Sequence, residues 1–404
     1  MSCGIIETYV ADLFAHSKVG NHGISLFGYL FKVAQGACRY FSENKLFGSP
    51  ASEGIGQFIK KLRGLLDQVI ASGSLMRCVS CYACLSKCPR SIRLTDVLLP
   101  LVKEQTLANL KEMPGELQKS LENMARYGNP LGESPRKRAA WAATAGVPVR
   151  VLAEKPGPVD ILWFVECYPS FYPRGQATAK ATAKLFHALG LDFAILGHEE
   201  QCAGECGRLT WEPGLFEKLA EANMKVLRKR QFKRLVTGDT HAFNAFKNRY
   251  PLAEEGWEVE HMTLLLARHL DQLKPRLTKR LEAKVAYHDN CCLGRGMGCF
   301  DEPRALLGAI PGVTLVEMAH NRQNSLCCGG GGGGMWLDTY YKSKGMDRLS
   351  ERRVQEAVAA GADVLAVSCP LELSRFEDAV KTLGHEKQLV VRDVVELLAE
   401  SLEG

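Results

Sequence analysis

The sequence predicts an α/β chain: a mostly helical N-terminal part carrying one dense cysteine motif, followed by a duplicated α/β unit. Three observations predict it. From residue 158 onward, short continuous apolar runs rich in β-branched residues alternate with helical stretches, as buried parallel strands do. The order of elements over 158–278 recurs over 279–404. In both halves, cysteines or acidic residues stand just after the strands, where parallel sheets gather their ligands.

The elements follow in order. Residues 1–75 form a first region in which Gln57–Ile70 has apolar residues at helical spacing. A second region, 76–157, opens with the cysteine motif and continues with helices near Thr95–Leu110 and Leu117–Arg126. Tyr127-Gly128-Asn129-Pro130 stops the latter. Residues 128–158 read as a linker with one short helix near Arg136–Ala143. In the first repeat, strands are expected at Val159–Val165, Phe193–Leu196 and Arg234–Thr237. Helices are expected at Ala177–Leu189, Leu215–Arg228, Ala242–Asn248 and Thr263–Leu273. In the second, strands are expected at Lys284–Tyr287, Val313–Glu317 and Val364–Val367. Its helices are Glu302–Ala309, Leu349–Ala359 and a closing Val391–Leu402.

Length and composition bound the function. A chain of 404 residues, 46% hydrophobic and 24% charged, suits two or three globular domains. Fifteen cysteines are not needed as staples for a core of that size. No secretory signal is visible, so a cytoplasmic protein is expected, and clustered cysteines there read as metal or redox ligands. No apolar run reaches the roughly 18 residues of a membrane span. A membrane association would come through a partner. The net charge of +6 is modest, and basic groups such as Arg136-Lys137-Arg138 lack interleaved aromatics, which argues against nucleic acid.

The strongest short signal is Cys78, Cys81, Cys84, Cys88 and Pro89, spaced C-x2-C-x2-C-x3-C-P. That is the iron–sulfur run. Zinc sites usually pair C-x2-C units across a longer gap, so a [4Fe–4S] cluster is the expectation. In two-cluster proteins the fourth cysteine of such a run serves the other cluster. Here there is one run, so Cys88 either binds the same cluster or yields to a distant residue, with Cys38 the best substitute and Cys3 a weaker one.

The second constellation is Cys291, Cys327, Cys328 and Cys369. Adjacent Cys327 and Cys328 must face one compact object, and the six glycines Gly329–Gly334 let backbone approach it closely. Cys292 and Cys299 are spectators, His288 is either a tuning group or a core histidine, and Asp289 is expected to cap the following loop. The third set is Cys167, Cys202 and Cys206, with Asp239 and His241 in the matching loop. It could hold a third cluster, be vestigial, or line a pocket for a substrate or partner.

With these sets laid out, the chain resembles the CCG-domain iron–sulfur proteins, a family that includes heterodisulfide reductase components and the glycolate oxidase iron–sulfur protein. The resemblance rests on Cys78–Pro89, Tyr127-Gly128-Asn129-Pro130, His288-Asp289-Asn290-Cys291 with Leu293-Gly294-Arg295, and Asn324-Ser325-Leu326-Cys327-Cys328-Gly329. It implies a helical ferredoxin-like domain at 76–157 and two CCG domains, at 158–278 and 279–404. The family motif ends in C-x2-C, and here Cys369-Pro370-Leu371-Glu372 has glutamate at the last position, which leaves four cysteine ligands and a Glu372 that could still coordinate. In the first repeat, Ala203, Asp239 and Ala242 replace further cysteines. The resemblance therefore implies two [4Fe–4S] clusters, the second cubane rather than noncubane. It implies an electron-transfer subunit of an anaerobic redox complex, with a flavoprotein or quinone-side partner. A disulfide or thiol–persulfide reductase acting at the C-terminal cluster is the alternative, and a zinc-stabilised scaffold the weaker one.

Overall fold

A computed structural model describes residues 78–87 and 113–403. The expected helices Gln57–Ile70 and Thr95–Leu110, and the residues Cys3, Cys38 and Cys88, lie outside the described residues. The described residues other than Cys78 belong to one compact unit.

That unit contains two parallel sheets. The first has strand order β1-β3-β2-β4-β5. Its strands are β1 (Arg150–Val151), β2 (Val159–Phe164), β3 (Phe193–Ile195), β4 (Phe232–Thr237) and β5 (Glu258–His261). The second runs β7-β6-β8-β9, with β6 (Ala283–Tyr287), β7 (Val313–Val316), β8 (Val364–Val367) and β9 (Val390–Asp393). Every pairing in both is parallel. Parallel strands need crossovers, and helices such as Pro173–Ala188 and Leu349–Ala359 supply them. Because helices cover the faces, the strand residues Leu162, Trp163, Phe164, Leu235 and Val236 are almost wholly buried.

The duplicated order fixes where ligands can gather. β2 lies between β3 and β4, and β6 between β7 and β8. From each central strand the chain crosses to one side and later returns to the other. The crevices outside the carboxyl ends of β2/β4 and of β6/β8 are therefore the switch points of the two sheets. Cys167 and Asp239 follow β2 and β4; Cys291 and Cys369 follow β6 and β8.

Several elements differ from the sequence expectation, each for a long-range reason. The linker contributes β1, which pairs with β3, and Trp141 packs edge-to-face on Trp163 with ring centroids 5.4 Å apart. The short helix expected there is two 3-10 turns, Pro135–Lys137 and Ala140–Thr144. The helix expected at Thr263–Leu273 divides at His269 into Met262–Arg268 and Leu270–Leu273. The closing helix starts later: Val390–Asp393 pairs with β8, and Asp393 then caps Val394–Ser401 in a capping box with Glu396. β5 and the helix Pro370–Thr382 carry no clear signal in the sequence pattern.

The two repeats share a core. Trp163, Phe186 and Leu265 of the first are continuous with Val285, Leu306, Val394 and Leu398 of the second. The helix Pro173–Ala188 packs on Val394–Ser401, and Met262–Arg268 packs on Glu302–Gly308.

Candidate iron–sulfur sites

In the second repeat, β6 delivers His288-Asp289-Asn290-Cys291 to the switch point. The turn is capped by Asn290, whose Oδ1 accepts from Cys292 N at 2.8 Å and Leu293 N at 3.1 Å. Asp289, expected in that role, instead forms a two-pronged pair with Arg304 and accepts from Arg322 N. Asn290 is the better cap because its amide also donates to Glu372 Oε1 at 2.6 Å, tying the β6 loop to the β8 loop.

Cys291 and Cys327 come within 4.0 Å, sulfur to sulfur. Cys328 is buried in the same group as Cys291 and Cys327, and Cys81 of the first cysteine motif packs against that group. The glycine run serves the pair directly: Gly329 N donates to Cys327 Sγ at 3.3 Å and Gly330 N to Cys328 Sγ at 3.4 Å. Arg375 braces the turn by donating to the Cys328 carbonyl. Arg295 donates to the Cys81 carbonyl at 2.8 Å and to the Ser325 carbonyl at 2.6 Å. It thus holds the first motif against the loop that leads into the cysteine pair.

The thiols repel one another's ionisation. Hydrogen bonding with Cys327, then burial, raises the pKa of Cys81 and Cys328, while that of Cys291 is raised by its contact with Cys292. Protonated thiols crowded at such distances are what a thiophilic cation displaces protons from on binding. Soft, closely grouped sulfur donors that accept backbone N–H bonds fit an iron–sulfur cluster.

Cys369 is fully buried and turned toward the first repeat. Its thiol groups with Asp239 and His241, the ligand atoms all within 4.8 Å of one another. Glu372, one turn further along the same helix, groups instead with Cys328 and His288. Cys292, read as a spectator, contacts Cys291; Cys299 is not in either group.

The first repeat carries a different set. Glu166 has a left-handed backbone, φ 71°, and its carboxylate accepts from Cys167 N at 2.9 Å and Ala203 N at 2.6 Å. A carboxylate therefore serves the N–H of the residue replacing the second cysteine. Arg138 pairs with Glu200 at 2.8 Å and donates to Cys167 Sγ at 3.4 Å. Gly204 N donates to Cys202 Sγ at 3.4 Å, the same bond that Gly329 makes in the second repeat. Burial raises the Cys167 and Cys206 thiols, the first reinforced by Cys202 and the second by Asp239. Asp239 is also the cap of Thr240–Asn248, accepting from His241 N and Ala242 N. A cavity of about 210 Å³ opens here, lined by Cys167, Cys202, Cys206, Asp239, His241 and Trp336 among others. Cys78 and Cys84 are half-buried.

Sequence reasoning missed Glu166, Arg138 and Glu200, because their partners are far along the chain. The Asn290 cap could have been found from Asn preceding the turn.

The cysteine-rich domain model named CCG matches twice, at residues 161–247 and 285–371. Those ranges span β2 to β4 and β6 to β8 with their switch-point loops, and leave β1, β5 and β9 outside. The chain is 34% identical over 379 residues to the probable iron-sulfur-binding oxidoreductase FadF of Bacillus subtilis, covering 92% of this chain and 53% of that protein. It is 31% identical over 346 residues to the EtfAB:quinone oxidoreductase of Syntrophomonas wolfei, covering 84% and 48%. It is 32% identical over 342 residues to a component of the dihydromethanophenazine:CoB–CoM heterodisulfide reductase of Methanosarcina barkeri, covering 80% and 77%. This chain belongs to the CCG-domain iron–sulfur oxidoreductases. It spans about half the length of the first two of these relatives. Among the described residues, no helix is long and apolar enough to cross a membrane.

Proposed function

We propose that this chain is the electron-transfer subunit of a larger oxidoreductase complex. It relays electrons between a flavoprotein or quinone-side partner and a [4Fe–4S] cluster in the second CCG repeat. Cys78, Cys81, Cys84 and Cys88 hold the first cluster, with Cys38 the substitute for Cys88. Cys291, Cys327 and Cys328 hold the second, with the fourth ligand from the Cys369–Glu372 turn. The observation that carries this reading is that Cys81 packs against the buried group of Cys291, Cys327 and Cys328, with Arg295 bonded to both the Cys81 and Ser325 carbonyls. It makes the two sets neighbours, as a relay needs. When bound, such clusters exchange single electrons at potentials set by hydrogen bonds to sulfur, burial and local charge. The chain's own part is to supply the Gly329 and Gly330 N–H donors, exclude water from Cys291 and Cys328, and keep the Arg295 cation beside the thiols.

The name of one relative, an EtfAB:quinone oxidoreductase, supports a flavoprotein or quinone-side partner. A reductase acting on disulfides at the second cluster is the runner-up, but the cavity borders Cys167, Cys202 and Cys206 rather than Cys291, Cys327 or Cys328. Membership of an iron–sulfur family weighs against a zinc scaffold.

The test is anaerobic purification with iron and sulfide counts and EPR, on wild type and Cys328→Ala. About eight irons and eight sulfides per chain are expected, with one signal lost in the variant and the other intact. Zinc without sulfide, or a Cys328→Ala protein with both signals, overturns the reading.

A further inference from the structure

We propose that Glu372 is an oxygen ligand of the second cluster, completing with one carboxylate the set begun by Cys291, Cys327 and Cys328. This rests on the reading that the second repeat holds a cluster. Glu372 lies in the first turn of Pro370–Thr382 and is 2% exposed. Its two oxygens are treated differently. Oε1 accepts from Asn290 Nδ2 at 2.6 Å and lies 3.1 Å from His288 Nε2. Oε2 is buried with no hydrogen-bond partner among the described residues.

Burying a carboxylate oxygen without a partner is unfavourable unless a cation completes it. The carboxylate groups with Cys328, their ligand atoms within 4.8 Å. The side chain is also held. Arg353 Nε donates to His288 Nδ1 at 3.0 Å, which leaves the imidazole proton on Nε2, facing Glu372. Asn290 fixes Oε1, whereas His288 Nε2, 3.1 Å from it, makes no hydrogen bond among the described residues, and Oε2 is left to the cation. Cys369, the other candidate of this turn, groups with Asp239 and His241. A hard oxygen donor on one iron of an otherwise thiolate-held cluster makes that iron distinct and more readily exchangeable.

The experiment uses the whole chain, purified anaerobically with isotopically enriched iron. Mössbauer spectra and EPR redox titrations are recorded for wild type, Glu372→Gln, Glu372→Cys and Cys328→Ala. In wild type, about one iron in four of the second cluster resolves as a separate site. Glu372→Cys removes that separate site, keeps the iron count and moves the potential of the second cluster lower, since thiolate donates more electron density. Glu372→Gln loses the separate iron while the first cluster signal, which reports a folded chain, persists. A Glu372→Gln protein with unchanged spectrum and iron count overturns the assignment and leaves the cluster reading standing. A Cys328→Ala protein that keeps the second cluster overturns the cluster reading, and this assignment with it.

Discussion

At the scale of the residue, buried groups are held in one ionisation state by what surrounds them. His261, at the end of β5, is an example. Its Nε2 faces the Gly238 carbonyl at 3.1 Å and its Nδ1 accepts from Thr263 N. That pairing uses the neutral ring, and burial lowers its pKa to about 4. In the unfolded chain the ring titrates near ~6.5. A depressed folded value means the stabilisation is full above the unfolded pKa and is lost as pH falls from ~6.5 through about 4. Between neutral pH and pH ~5, wild type should lose about 2 kcal/mol of unfolding free energy that His261→Gln does not lose. Urea unfolding of both proteins at the two pH values checks this. Parallel curves for the two would show that His261 is not the group.

At the scale of the element, the glycine turn after the cysteine pair is a steric device. Gly334 N donates to the Gly331 carbonyl at 2.9 Å, closing the turn. A Cβ on Gly334 would stand 1.9 Å from the Gly329 carbonyl oxygen, and backbone cannot yield as a side chain can. The turn holds the two N–H donors that face Cys327 and Cys328. Gly334→Ala should cost roughly 1–3 kcal/mol by overpacking and take the proposed second cluster with it. Metal counts should fall by about half while the first cluster's EPR signal stays. Full iron content in this variant would show that the turn is free to move away. The equivalent element in the first repeat, Cys202-Ala203-Gly204, keeps the Gly204 N–H to sulfur bond but has the Ala203 methyl in place of the second thiol, and the Ala203 N–H donates to Glu166.

At the scale of the whole molecule, Arg174 joins the repeats. It projects from Pro173–Ala188 and binds Glu377 of Pro370–Thr382, Glu396 of Val394–Ser401 and the Val391 carbonyl. Its fork contacts both carboxylates, which Lys cannot reproduce. The group is partly solvated, so the loss on Arg174→Ala should be about 1–3 kcal/mol, below that of a fully buried pair. Arg174→Lys should recover little of it. Equilibrium denaturation followed by tryptophan fluorescence reads the change, and midpoints equal to wild type in both variants would contradict it.

The grouping of the cysteines into three sets and the repeat of an α/β unit were legible in the amino-acid order alone. These are local or periodic facts: covalent spacing, apolar runs, and glycine where a Cβ would clash. Leu349–Ala359 and Val364–Val367 were legible to the residue because their apolar patterns are complete within themselves. Tertiary structure alone decided which distant groups meet. Cys81 packs against the group of Cys291, Cys327 and Cys328, Cys369 turns to Asp239 and His241, and Glu372 turns to Cys328 because strand order and crossovers set the switch points. The same cause drew Arg150–Val151 out of an apparent linker and Val390–Asp393 out of an apparent helix. Strand pairing joins segments far apart in the chain, and neither segment's own pattern contains its partner.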